Sequence, residues 1–243
     1  MPELPEIETV KLQLQKVLVG QICARCQVLS AKYQLKEIVG KEVKEVRRLG
    51  KVLLINFGKD LDLGFHFKMT GQLIYESKNQ SMTNAKSRIV GGHPTSDFVN
   101  KMPSKHTRMI FDFNICTLYF YDLRKFGWVK INPDFVDKLG PEPFSLTVEQ
   151  FVSLVKKVKR PIKIAIMDQT LIAGVGNIYA NDALWEACIN PQIPSHKLQK
   201  EQITLLLAKI KLVLREGIKY GGASVSDYVD AHGVGGTYQA HMR

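Results

Sequence analysis

The sequence predicts an α+β chain: one amphipathic helix leading a β-sandwich or flattened barrel, then a second, mainly helical unit. Three observations carry this. Apolar residues fall at helical spacing over residues 6–19, eight short strand-type runs fill the chain up to Ile131, and the helical period returns at Leu146 beyond a Pro/Gly-rich segment. At 243 residues and 45% hydrophobic, the chain can fill two cores.

The first helix rests on Ile7, Val10, Leu14, Val17 and Leu18, with Pro5 as a helix starter, Glu6 and Glu8 at the positive end of its dipole, and Gly20 as its stop. Strands are expected at 22–30, 42–49, 51–57, 62–67, 71–75, 107–113, 116–121 and 126–131, several separated by turn-type residues. Residues 78–105 are polar, Gly/Pro-punctuated and without period, and read as a long loop, of the kind that is usually functional or disordered. NPDFVDKLGPEP, at 132–143, reads as the boundary between domains. We therefore expect an N-terminal domain over 1–132, a linker over 133–143 and a helical domain over 144–243. Helices are expected at 146–159, 177–189 and 196–220, the last with Ile203, Leu206, Leu207, Ile210, Val213 and Leu214 on one face. The glycine-rich tail after Gly222 shows no core pattern.

Charge narrows the partner. Thirty-four Lys and Arg against 23 Asp and Glu give a net charge of +11, which suits an acidic polymer, nucleic acid before membrane. No stretch approaches the roughly eighteen apolar residues of a membrane span, and the N-terminus lacks the basic-then-apolar order of a signal peptide, so a cytosolic location is expected. Cys23, Cys26, Cys116 and Cys188 make no disulfide framework in a chain of this size. Cys23-Ala-Arg-Cys26 invites a zinc reading, but QICARCQVLS reads as a strand, where residues three apart point to opposite faces; no metal site is expected there.

Several constellations could carry chemistry. Once Met1 is removed, the Pro2 nitrogen is a secondary amine with a reference pKa of about 7.7–8.0, able to attack an electrophilic carbon and form an iminium. Glu3 beside it could donate or accept a proton. RRLGKVLLINF places Arg47, Arg48 and Lys51 at the mouth of an apolar strand, which also fits a solvated strand end. GFHFKMTGQL brings His66, Lys68 and Met69 to a turn, where an exposed Met could wedge between bases, though such a Met is more often core. YDLRKFGW puts Arg124 and Lys125 beside Phe126, a grouping suited to phosphate contact with stacking or wedging, and KHTR adds Lys105, His106 and Arg108; plain surface is an equal alternative. Gly174-Val-Gly176-Asn177 precedes a helix, where backbone N–H groups can meet a phosphate or merely make a tight turn. The run VKKVKRPIK supplies Lys156, Lys157, Lys159, Arg160 and Lys163 to the same region.

Taken together and in order, MPELPEIETV, GKVLLINF, HFKMTGQL, DLRKFG, LGPEP and MDQTLIAGVGNIYANDALW resemble the bacterial formamidopyrimidine-DNA glycosylases of the Fpg/Nei family, and GGASVSDYVDAHG extends the likeness toward the C-terminus. Leu4 resembles these enzymes rather than the related endonuclease VIII, which typically has Gly there. The resemblance implies an N-terminal helix on a β-sandwich, a helical domain with a helix-two-turns-helix motif, and duplex DNA in the cleft between. It implies a bifunctional glycosylase and lyase of base excision repair that removes 8-oxoguanine and formamidopyrimidines from a flipped nucleotide.

By position, the resemblance makes Pro2 the Schiff-base nucleophile, Glu3 the acid that assists sugar opening, Glu6 a residue that helps hold the site, and Lys51 the lysine of proton transfer and phosphate contact. Met69, Arg124 and Phe126 match the trio that fills the gap left by the flipped base, with Arg124 facing the orphaned cytosine. His106, Lys163 and Asn177 match backbone-phosphate positions, and Lys159 of the basic run joins them as a DNA contact. The tail around Ser224, Val225 and Tyr228 resembles the loop that closes over the extruded base. A monomer acting on damaged double-stranded DNA, in a bacterial nucleoid-associated cytoplasmic setting, is the implied context.

Departures are equally plain. The family normally continues into a C-terminal zinc finger with four cysteines, whereas this sequence ends at HMR where the finger would begin, so no zinc is expected in this chain. Leu123 stands where proline is common and Lys125 where a second arginine is common. The alternative is a non-catalytic or impaired DNA-binding remnant, which predicts salt-sensitive duplex binding without base release.

Overall fold

The computed structural model describes residues 1–30, 35, 37–78, 102–223 and 236–242, with the backbone of 88–92. Helix α1 (Leu4–Leu18) opens the chain. Among the described residues nine strands follow: β1 (Cys23–Val28), β2 (Glu45–Leu49), β3 (Val52–Asn56), β4 (Asp62–His66), β5 (Gly71–Ser77), β6 (Arg88–Gly92), β7 (Thr107–Phe113), β8 (Cys116–Asp122) and β9 (Trp128–Ile131). Helices α2 (Val148–Lys156), α3 (Ile162–Met167), α4 (Asn177–Glu186) and α5 (Lys200–Lys219) complete it. No helix among the described residues is long and apolar enough to cross a membrane.

The strands form two antiparallel sheets, β1-β7-β8-β5-β6 and β2-β3-β4-β9. Their inner faces meet in one core, where Phe65 packs edge-on against Phe111 at 5.8 Å and tilted against Phe120 at 6.0 Å. The sandwich is thus the arrangement adopted, and the flattened barrel is not. A second core gathers the helices around Tyr179, Leu206, Ile210, Leu214 and Tyr238.

Four local readings of the sequence need correction. Strand β6 lies inside the stretch read as a loop and pairs with β5 in the register Ile74↔Val90; RIVGG is too short and glycine-rich to show a period, and the open edge of β5 supplies the order. Helix α3 escapes the sequence reading because six residues hold less than two turns of pattern. Tyr238 of the tail is fully buried, packs tilted against Tyr179 with ring centres 5.0 Å apart and donates to Asp182 Oδ2 at 2.8 Å; a lone aromatic among glycines carries no periodic signal. Finally, a bulge between Cys23 and Arg25 restores Cys23 and Cys26 to the same face of β1, opposite Phe113 and Phe111, so simple alternation fails there. Burial pushes their thiols up to about 12 and about 11, which disfavours the reactive thiolate at both.

Helix α1 belongs to both cores. Ile7, Val10, Leu14 and Leu18 enter the sandwich core, while Leu4 enters the helical one. Each is essentially fully buried, a contribution of about 1.5–3 kcal/mol apiece as an upper bound. Its start lies earlier than the apolar period suggests: the Glu6 carboxylate reaches back to accept the Glu3 N–H at 2.7 Å, satisfying an orphan donor of the first turn.

An ionic clamp reinforces the junction. Arg48 of β2 donates through Nε to Glu8 Oε2 on α1 (2.7 Å) and through Nη2 to Glu142 Oε2 (2.9 Å), with Nη1 also paired to Glu142 Oε1. Glu142 additionally accepts the Gly50 N–H at 2.7 Å. Burial works against the Arg48 charge, yet these two carboxylates outweigh it and hold its pKa up. Glu142→Ala strands a buried guanidinium with half its partners, and we expect a loss of about 1.5–3 kcal/mol in urea denaturation. A loss below about 0.5 kcal/mol, the range of an ordinary surface change, would contradict the clamp.

Candidate functional site

The site is built on the first turn of α1. Pro2 and Glu3 are buried although they precede the helix, because the chain start runs into the N-terminal end of α4. Leu4 N–H donates to Gly174 O at 3.1 Å, and the Glu3 carboxylate accepts the Ile178 N–H through Oε1 at 2.9 Å. The two glycines of GVGN exist for this approach. A Cβ on Gly174 would lie 2.6 Å from Leu4 Cδ1, and one on Gly176 would lie 2.3 Å from Glu3 Cδ. The sequence motif suggests a phosphate at a helix N-terminus or a tight turn; the group that accepts the Ile178 N–H there is the protein's own Glu3 carboxyl.

Four of the expected site residues come together here. The Met1 amine, to which the Pro2 nitrogen is joined by a peptide bond, is pushed down by burial, pulled up by Glu3 and Glu6, and pushed down by Lys51. Lys51, buried at the start of β3, is likewise lowered by burial, opposed by Glu3 and Glu6, and lowered by Lys68. Glu3 is raised to about 7, first by burial and then by Glu6, against the pull of Lys51 and of two backbone donors. Among the described residues its buried Oε2 has no hydrogen-bond partner, and with the pKa raised to about 7 Glu3 can hold a proton near neutral pH.

Glu6 sits at the centre of a network. Besides the Glu3 N–H on Oε2, its Oε1 accepts the Tyr179 O–H at 2.7 Å and the Ala223 N–H at 2.8 Å. Burial and the neighbouring carboxylates hold the Tyr179 phenol well above its ordinary pKa, so it remains a donor. Ala223 pairs with Thr237 in an isolated antiparallel bridge, and Tyr238 N–H donates to Gly222 O. The carboxylate beside the chain start is therefore also bonded to the stem from which residues 224–235 depart. Ser224, Val225 and Tyr228 lie outside the described residues.

A second cluster projects from two adjacent turns. Met69 and Phe126 are about half exposed, and the Arg124 guanidinium lies 4.8 Å from the Phe126 ring centre. Met69 is thus exposed and not a core residue. Lys68 next to it is near enough to depress Lys51, which ties this turn to the first cluster. His66 is a structural residue: its Nδ1 accepts the Lys68 N–H at 3.1 Å, its ring packs on Trp128, and burial with Lys68 and Lys51 pushes its pKa down to about 3.

The remaining candidates lie on separate elements. His106 is half-buried, edge-on to Tyr121 at 5.6 Å. Lys159 is exposed in the α2–α3 connection, Lys163 is half-buried on α3, and Asn177 is exposed at the first position of α4. Sequence reasoning misses Tyr179, Asp122 and Thr70. Tyr179 could be suspected from the Gly-x-Gly helix start; the other two bear no signal outside the fold.

No group of three or more His, Cys, Asp or Glu among the described residues could hold a metal ion. Cys23 and Cys116 are buried, Cys26 is partly covered, and Cys188 is exposed beyond α4, so the donor set does not fit a zinc site.

Two family models match in sequence order: the formamidopyrimidine-DNA glycosylase N-terminal domain over residues 1–129 and the formamidopyrimidine-DNA glycosylase H2TH domain over residues 139–229. The formamidopyrimidine-DNA glycosylase of Pelotomaculum thermopropionicum is 37% identical, covering 100% of this chain and 87% of its own length. That of Ligilactobacillus salivarius is 34% identical, covering 98% and 85%. Among solved structures, the MutM (Fpg) protein of Thermus thermophilus aligns with a TM-score of 0.82 at 31% identity over 99% of this chain and 86% of its own. A complex between Lactococcus lactis Fpg and a DNA containing an abasic site aligns at 0.81 with 30% identity over 99% and 86%. A start buried against a helix N-terminus, a carboxyl kept protonatable beside it and matches spanning both halves lead to one conclusion: the chain belongs to the formamidopyrimidine-DNA glycosylase family.

Proposed function

We propose that this chain is a bifunctional DNA glycosylase and abasic-site lyase of base excision repair, acting on oxidised purines in duplex DNA. The observation that carries the reading is the burial of Pro2 and Glu3 beside the chain start, where Glu3, Glu6 and Lys51 all act on the terminal amine. With Met1 attached, the Pro2 nitrogen is an amide and inert. With Met1 removed, it is a secondary amine in a place where burial favours its neutral, nucleophilic form.

The proposed reaction begins when the Pro2 nitrogen attacks C1′ of the flipped nucleotide. The C1′–base bond breaks and the base leaves with a proton. Protonated Glu3 donates to the ring oxygen O4′, the C1′–O4′ bond opens, and an iminium joins Pro2 to C1′. Loss of a C2′ proton and departure of the 3′ phosphate complete β-elimination, and water then hydrolyses the iminium to release the amine. Lys51 supplies a cation beside the reacting phosphate, Glu6 holds the turn, and Met69, Arg124 and Phe126 occupy the space the flipped base vacates. Exposed or half-buried His106, Lys159, Lys163 and Asn177 suit contacts to backbone phosphate.

In this reading residues 1–132 form the catalytic domain, 133–143 the linker and 144–243 the DNA-binding domain, with 224, 225 and 228 in the base-closing loop. The protein acts as a monomer in the bacterial cytoplasm. Likeness to formamidopyrimidine-DNA glycosylases across both halves of the chain supports this reading over the remnant reading.

Borohydride reduction in the presence of a duplex containing 8-oxoguanine tests the chemistry, once intact mass has established that Met1 is absent. A covalent protein–DNA adduct is expected, reduced at least about tenfold in Pro2→Gly. No adduct from the processed protein, or an undiminished one from the variant, contradicts it. A second test concerns Glu3 alone. Gly176→Ala evicts its carboxylate from α4, and base excision should fall about 10²-fold without loss of helix content. Adding Glu3→Gln to Gly176→Ala should cost little more, since both changes act on one group; two fully additive losses would contradict the link.

A further inference from the structure

We propose that Asp122 and Thr70 form a buried positioning device that sets discrimination of the base opposite the lesion, by holding the Met69 turn and the Arg124–Phe126 turn as one rigid unit. This rests on the wedge role given to those three residues above. Asp122 ends β8 and is fully buried, yet its carboxylate meets no cation among the hydrogen bonds of the described residues. Instead Oδ1 accepts the Thr70 O–H at 2.5 Å and Oδ2 accepts the Gly127 N–H at 2.8 Å. Thr70 Oγ1 in turn accepts the Arg124 N–H at 3.0 Å. One hydroxyl thus joins the turn carrying Met69 to the backbone of Arg124, and one carboxylate joins that hydroxyl to the far end of the loop carrying Phe126.

The surroundings leave this carboxylate little freedom. Asp122 O accepts from Arg108 Nε at 2.9 Å, its N–H donates to His106 O at 3.1 Å, and Asp122 pairs with Gly71 across β5 and β8. Lys68 and Lys125 both sit in the left-handed region, at φ 50° and 59°, so each turn holds a conformation that needs support from outside. A bonded chain running from N–H through O–H to a buried carboxylate supplies it, and charge-assisted hydrogen bonds of this kind are the strong ones. Arg124 can read the opposite base only if its backbone is fixed relative to Met69, because both enter the same gap. Loosening the unit should therefore blunt the choice of partner base more than the chemistry at C1′.

Thr70→Val keeps the shape and removes the hydroxyl, and Thr70→Ser restores it. Excision of 8-oxoguanine opposite cytosine and opposite adenine is measured for the wild type, Thr70→Val, Thr70→Ser and Asp122→Asn, alongside borohydride trapping on a preformed abasic site. We expect the cytosine-to-adenine ratio to fall about tenfold in Thr70→Val and Asp122→Asn and to recover in Thr70→Ser. An unchanged ratio in Thr70→Val, or equal losses on both pairs and on the abasic duplex, overturns the proposal and leaves these residues structural. Failure of the wild type itself to trap or to discriminate would instead remove the functional reading on which the proposal stands.

Discussion

The structure depends on one contact, the seating of the Glu3 carboxylate on the N-terminus of α4. A helix start offers unpaired N–H groups and a positive dipole end, and a carboxylate is its natural occupant. Here that occupant comes from 175 positions away and is placed there by α1, whose Leu4 is locked into the helical core while its next turns are locked into the sandwich. The same contact joins the two halves of the chain and holds Glu3 where burial raises its proton affinity. Gly174 and Gly176 are what permit it, since a single methyl at either would occupy the space of Leu4 or Glu3.

Burial at this point creates tension as well as order. Glu3, Glu6 and Lys51 are all buried and act on the terminal amine, and burial is the largest influence on Glu3, Lys51 and the amine alike. Because the folded-state pKa of Glu3 is raised, the folded chain retains this proton where the unfolded chain has lost it. Stability linked to Glu3 is therefore complete below about 4.5 and is lost as pH rises through about 7. Such a group is poorly chosen for stability and well chosen for giving up a proton. The clamp in which Arg48 of β2 joins Glu8 of the same helix to Glu142 offsets this tension with well-matched charges.

Much of this is legible without any coordinates. The helix–strands–helices order follows from periodicity, and the six apolar residues read along α5 are all buried. Pro2, Glu3, Glu6 and Lys51 are grouped by the resemblance and are close in space. What the sequence hides is of two kinds. Short elements such as β6 and α3 have too few residues for a period and are ordered by neighbours. Polar groups behind the site, such as Asp122, Thr70 and Tyr179, act through hydrogen bonds between residues 52 or 173 positions apart, which no local pattern encodes. The GVGN glycines show a subtler failure, since the helix-terminus reading is sound but the group it receives is internal.

The most direct measurement is the titration of the Glu3 side-chain carboxyl carbon by NMR in protein freed of Met1. A midpoint near 7 is predicted, because burial raises the carboxyl further than Lys51 and the backbone N–H groups at the start of α4 lower it. A midpoint at or below the ordinary 4.5 would mean that Glu3 is ionised at neutral pH, and would contradict the account of it as a buried, protonatable acid.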